Sequence, residues 1–130
     1  CRFSADQKTV TFAGANQSMY HISGGNLEEY QGSIFSIGGI YGRNRNKSFE
    51  NVEFTVNRGD CLYFMSDGYA DQFGGHDNRK IMTVRVQKLL IGCHTKPMAE
   101  QHQILQETFH NWKGVRKQVD DVLLVGMRIQ

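Results

Sequence analysis

No stretch of this chain holds the roughly 18 consecutive apolar residues that a membrane-spanning helix requires, and no leader-like segment opens it. Neither sign of charge dominates. Fifteen Lys and Arg stand against 13 Asp and Glu, a net charge of +2, and the basic residues are scattered apart from Arg43, Arg45 and Lys47. Without a basic stripe there is no electrostatic footprint for nucleic acid. Cysteine is sparse: Cys1, Cys61 and Cys93 make an odd count with no CxxC spacing, which argues against a disulfide framework or a zinc site. A reducing cytosol suits such a composition, so the expected location is cytoplasmic, with no membrane contact by this segment. There is no internal repeat and no low-complexity segment, and 130 residues is a single-domain length that buries on the order of two thirds of the unfolded surface. The opening Cys1-Arg2-Phe3-Ser4 has no initiating Met and reads as a strand end, so the expectation is a piece of a longer chain.

The first half of the chain alternates with period two. Thr9 to Ala13 reads as a strand, Asn16-Gln17-Ser18 interrupts it, and Met19 to Ile22 resumes before a Ser23-Gly24-Gly25-Asn26 turn and a return strand at Leu27 to Tyr30. A meander of hairpins is expected. Gly38-Gly39 and the polar run Gly42 to Lys47 read as a loop; Val52 to Val56 alternates again, and Asn57 to Asp60 turns into an apolar run that ends at Asp67. The second half changes period. A helix is expected over 79–91 from Met82, Val86, Leu89 and Leu90, while Val84 and Val86 also fit a strand. Another follows from Pro97, with Met98, Gln101, Leu105, Phe109 and Trp112 on one face, Thr95 near its cap and Gly114 past its end. Val122 to Ile129 is apolar enough to predict a central closing strand.

Chemistry concentrates in two places. Gly59-Asp60-Cys61-Leu62-Tyr63-Phe64-Met65-Ser66-Asp67-Gly68 delivers a carboxylate to the lip of a buried strand, and Gln118-Val119-Asp120-Asp121-Val122 sets acids at the opening of another. Aspartates at the ends of two buried strands are one way to hold a hard cation. Each motif also has a plainer reading: Asp67-Gly68 as a turn, and Asp120-Asp121 as a solvated pair at a strand edge. Asp71, Gly74, Gly75, His76 and Asp77 fail the spacing of a calcium loop. The five histidines share no ligand spacing and read as surface residues, while Cys61 reads as a small buried hydrophobe.

Phe12-Ala13-Gly14-Ala15-Asn16, Gly59-Asp60 with the run to Ser66-Asp67-Gly68-Tyr69, Asp71-Gln72-Phe73-Gly74-Gly75, Trp112-Lys113-Gly114 and Gln118 to Val122, in that order, resemble the metal-dependent serine/threonine protein phosphatases in their bacterial SpoIIE-like branch. The resemblance covers essentially the whole chain. It implies an α+β fold, part of an α-β-β-α sandwich of antiparallel sheets flanked by helices, with a binuclear Mn2+ or Mg2+ centre. By that resemblance Asp67 and Asp120 are metal ligands, with Gly68 and Asp121 supporting them. The implied activity is hydrolysis of phosphoserine or phosphothreonine by a metal-activated water, without a phosphoenzyme. The implied substrate is a phosphoprotein such as an anti-sigma-antagonist-like regulator in bacterial signalling.

One departure qualifies that expectation. Relatives carry an Asp-Gly motif in the N-terminal half whose aspartate bridges both metals, and residues 1 to 58 hold only Asp6, outside any such setting. Residues 1–130 are therefore expected to be the C-terminal portion of one phosphatase domain, with its N-terminal half absent and the fragment inactive alone. The alternative reading is a pseudophosphatase acting as a protein-binding regulatory module. Starting inside a sandwich also predicts self-association through exposed strand edges.

Overall fold

The computed structural model describes residues 1–37 and 48–130. The predicted loop at Gly38-Gly39 and Gly42 to Lys47 lies outside the described residues. Among the described residues nine strands and three helices follow in chain order: β1 (Arg2–Phe3), β2 (Thr9–Phe12), β3 (Met19–Ser23), β4 (Asn26–Tyr30), β5 (Val52–Thr55), β6 (Cys61–Met65), α1 (Asp67–Asp71), β7 (Phe73–Gly74), β8 (Arg79–Lys80), α2 (Thr83–Cys93), α3 (Met98–Lys113) and β9 (Leu124–Arg128). They form an antiparallel sheet β1-β2-β5, a second antiparallel sheet β4-β3-β6-β9, and a short β7-β8 ribbon.

The apolar run of β6 has a simple cause: both faces of the strand are covered. Leu62 joins Val10, Phe12, Met19, Val56 and Ile129 between the two sheets. Cys61, Tyr63 and Met65 point the other way, into a cluster with Val86 and Leu90 of α2 and Leu105 and Phe109 of α3. Burial on both faces removes the polar half of the usual strand alternation. The result is an α+β arrangement in which helices cover one face of the four-stranded sheet and the three-stranded sheet covers the other.

The expected meander is corrected. β2 does not pair with β3; it pairs with β5, Val10 opposite Phe54, while β3 pairs with β4 and β6 in the other sheet. Alternation specifies which side chains face inward but not which strand lies alongside. The helix expected over 79–91 spans Thr83–Cys93, because Arg79 and Lys80 pair with Gly74 and Phe73 and Met82 sits at φ 72°, outside the helical region. Its buried face is Val86, Leu90 and Cys93; Met82 is exposed. The helix expected from Pro97 is present, with Pro97 rather than Thr95 at the cap, and it ends where Gly114 takes φ 56° and its N–H reaches the His110 carbonyl at 2.8 Å.

β9 is also corrected: it is an edge strand of its sheet among the described residues, not a central one. Leu123 and Val125 are exposed accordingly. No described helix is long and apolar enough to cross a membrane.

Candidate metal centre

β6 and β9 run antiparallel with Met65 opposite Leu124, so the residue after one strand lies beside the residues before the other. That register places Ser66-Asp67-Gly68 against Asp120-Asp121-Val122. Ser66 fixes the junction. Its backbone N–H donates to the Leu123 carbonyl at 2.9 Å, its hydroxyl donates to the Asp121 carbonyl at 2.8 Å, and the Leu123 N–H donates back to that hydroxyl at 2.9 Å. A serine before a helix usually caps it; here the hydroxyl is directed across to the other acidic segment, and α1 has no side-chain cap.

Gly68 permits the approach. A Cβ placed there would lie 2.3 Å from the Asp121 carbonyl oxygen and 3.3 Å from the Asp120 carbonyl carbon. These neighbours are backbone and cannot swing aside. Gly68→Ala must therefore displace Asp121 or distort the first turn of α1, and overpacking of this kind costs about 1–3 kcal/mol. The expected result is a lowered melting temperature, read by calorimetry.

The backbones that carry Asp67, Gly68, Asp120 and Asp121 are thus brought together, and the three acids are exposed. Asp120 Oδ1 accepts the Asp121 N–H at 2.7 Å, which turns the Asp120 side chain back along its own segment. Ionised carboxylates offer oxygen ligands of the kind hard divalent ions take. Two such ligands fall short of a full shell, and no group of three or more His, Cys, Asp or Glu positioned for a metal occurs among the described residues.

A third segment reaches the same end of the sheet. Gly14 and Gly32 cross closely, the backbone bonds Asn16 N–H to Ser33 O (2.7 Å) and Ser33 N–H to Gly14 O (2.8 Å) hold the crossing, and the Gln17 amide donates to the Met65 carbonyl just before Ser66. A groove of about 610 Å³ runs between α3 and β9, lined in part by Gln118, Val122, Tyr63, Tyr69 and Leu105. Its lining is firmly built: the Tyr63 hydroxyl donates to Gln101 Oε1 at 2.7 Å and the Tyr69 hydroxyl to the Leu105 carbonyl at 2.7 Å. Burial pushes the Tyr69 phenol up to about 12.

Two residues that matter here escaped the sequence reading. His21, expected at the surface, is buried between the sheets with its Nε2 2.9 Å from Asp60 Oδ2. The signal is present, since His21 lies two residues after inward-facing Met19 and shares its face of β3. Gln72, within the DQFGG stretch, is fully buried; nothing in composition marks a glutamine for burial. His76, His102 and His110 are exposed, as expected, and Cys61 is a buried thiol.

Comparison with solved structures places this geometry. The chain is similar to the SiaA-PP2C domain of Pseudomonas aeruginosa at 26% identity and a TM-score of 0.82, covering 95% of this chain and 47% of that one. It is similar to the PP2C phosphatase domain of SpoIIE from Bacillus subtilis, crystallised with a fragment of its regulatory domain, at 20% identity and a TM-score of 0.69, covering 95% and 35%. A Mn-presoaked structure of the Bacillus subtilis SpoIIE phosphatase domain matches at 20% identity and a TM-score of 0.64, covering 98% and 54%. The chain thus spans about half or less of those proteins' own length. A comparison with curated proteins finds no match. The model of the Stage II sporulation protein E (SpoIIE) family matches residues 1–130, the full length, and this chain belongs to that family of PP2C-type phosphatase domains.

Proposed function

We propose that the protein carrying this chain is a metal-dependent serine/threonine protein phosphatase, and that residues 1–130 supply the C-terminal share of its catalytic domain. The observation that carries the reading is the direct packing of Asp67-Gly68 on Asp120-Asp121, stitched by Ser66. Asp67 and Asp120 would hold Mn2+ or Mg2+, with Gly68 making room and Asp121 supporting the strand end. Bound there, divalent ions would neutralise phosphate charge, lower the pKa of water and favour in-line attack.

The chain's own residues set the geometry for that chemistry. Pairing of β6 with β9 fixes how far apart the acids stand, and Ser66 prevents the two segments from sliding. The remaining ligands would come from the rest of the domain, so the isolated chain is expected to be inactive. The substrate would be a phosphoserine or phosphothreonine protein, of the anti-sigma-antagonist-like kind, in bacterial cytoplasmic signalling. The exposed edge of β9, with Leu123 and Val125 uncovered, supports association of isolated chains through strand edges.

The test uses the complete protein with a phosphoserine peptide in heavy-oxygen water. Phosphate release should need Mn2+ or Mg2+, stop with chelator, and incorporate solvent oxygen without an acid-stable phosphoenzyme. Divalent-ion binding with no hydrolysis would favour the pseudophosphatase reading, and no ion binding at all would remove the metal-dependent phosphatase reading.

A further inference from the structure

Gln72 is a fully buried side chain with an unusual division of its hydrogen bonds. Both amide hydrogens are used: Nε2 donates to the Phe73 carbonyl at 2.9 Å and, 45 residues away, to the Lys117 carbonyl at 3.0 Å. Its Oε1 has no hydrogen-bond partner among the described residues. Gln101, the other fully buried glutamine, satisfies both ends of its amide. Reversing the Gln72 amide would aim its oxygen at two carbonyl oxygens, so the orientation is fixed by those acceptors even though Oε1 is left unpaired. A buried acceptor without a partner is costly, and what the protein obtains in exchange is a hold on Lys117.

Lys117 lies three residues before Asp120, in a stretch whose side chains are otherwise largely exposed. Segment 66–72 therefore grips segment 117–123 twice, through Gln72 at one end and through Ser66 at the other, and Asp120 lies between the two grips. The same segment 66–72 carries Asp67. Gln72 is itself held from behind, since its backbone carbonyl accepts the Trp112 Nε1–H at 3.1 Å and the Ile81 N–H at 3.1 Å. We infer that Gln72 is a positioning residue for the acidic pair: it sets where Asp120 stands relative to Asp67 by anchoring the Lys117 carbonyl. This rests on the reading of Asp67 and Asp120 as metal ligands.

Gln72→Met in the complete protein keeps the volume and removes both donors. Hydrogen exchange without metal should quicken selectively over 118–123, leaving β3 and α2 protected as in the wild type. By calorimetry, the Mn2+ dissociation constant should rise by about tenfold or more, the size expected for loss of a residue that orients metal ligands. With a phosphopeptide, kcat at sub-saturating Mn2+ should fall and excess Mn2+ should restore part of it, whereas KM for the peptide should hold. Gln72→His, which keeps one ring N–H, should give a smaller shift in the same direction and serves if the Met variant does not fold. Unchanged Mn2+ affinity and unchanged exchange over 118–123 in a folded Gln72 variant would overturn the inference. Asp67→Asn run alongside separates the two failures: if that variant binds Mn2+ as the wild type does, the ligand assignment itself is wrong, independently of Gln72.

Discussion

Asp67→Asn in the complete protein should lower kcat for phosphopeptide hydrolysis on the order of a thousandfold, with Asp120→Asn close behind. The size follows from what a ligand does in this chemistry. Divalent ions contribute several kcal/mol of charge stabilisation at the transition state, and losing about 4 kcal/mol of it corresponds to roughly three powers of ten in rate. Asparagine preserves shape and one oxygen but removes the negative charge, so Gly68 and Ser66 should keep their contacts and the fold should persist. Circular dichroism and melting should therefore be near wild type while Mn2+ calorimetry shows a large loss of affinity. Full Mn2+-dependent turnover by Asp67→Asn would defeat the assignment. The double variant should cost much less than the sum of the singles, because residues acting as one unit are strongly non-additive.

That experiment depends on features that were legible in the sequence and on others that were not. The apolar run Cys61–Met65 ending in Ser66-Asp67-Gly68 announces a two-sided buried strand with acid at its lip, and α3 follows from the spacing of Gln101, Leu105 and Phe109. These are local signals, fixed by periodicity. The pairing of β2 with β5 is not legible, because strand alternation is blind to partners brought together from 40 or more residues apart. The edge position of β9 was missed for a related reason: an apolar strand with one covered face and one open edge resembles a central strand in composition. The start of α2 is not legible because Met82 has the helical spacing of Val86, Leu89 and Leu90 in the sequence, whereas its backbone turns to positive φ and stands before the helix. Gln72 and His21 went unseen because burial of a polar side chain depends on acceptors supplied by distant segments, Lys117 in one case and Asp60 in the other.

The His21–Asp60 pair carries the second large expectation. Asp60 opens β6 and is buried, His21 is buried opposite it, and the ring nitrogen donates to a carboxylate that can only accept. Asp60 Oδ2 also takes the Asn57 N–H at 2.9 Å, so one oxygen closes the turn and ties β3 to it. The His21 ring lies 5.2 Å from Phe54, which stacks on Tyr30 at 4.2 Å, so the pair also seats an aromatic group between the sheets. Removing one member of a buried hydrogen-bonded pair leaves the other unsatisfied, which typically costs about 1–3 kcal/mol, a substantial share of the roughly 5–15 kcal/mol that holds a domain folded. Asp60→Ala should show this loss in urea denaturation, and Asp60→Asn, which can still accept from Asn57, should lose less. Burial pushes the Asp60 carboxyl up, but the hydrogen bonds from Asn57, His21 and Ser23 outweigh it and hold the group below its usual 3.8. A carboxyl lowered in the native state stabilises fully above its unfolded value, and that stabilisation fades as pH falls through the native value. Wild-type stability should therefore decline more steeply than that of Asp60→Ala as pH falls below about 4, and parallel acid limbs for the two proteins would show that Asp60 does not act through its charge.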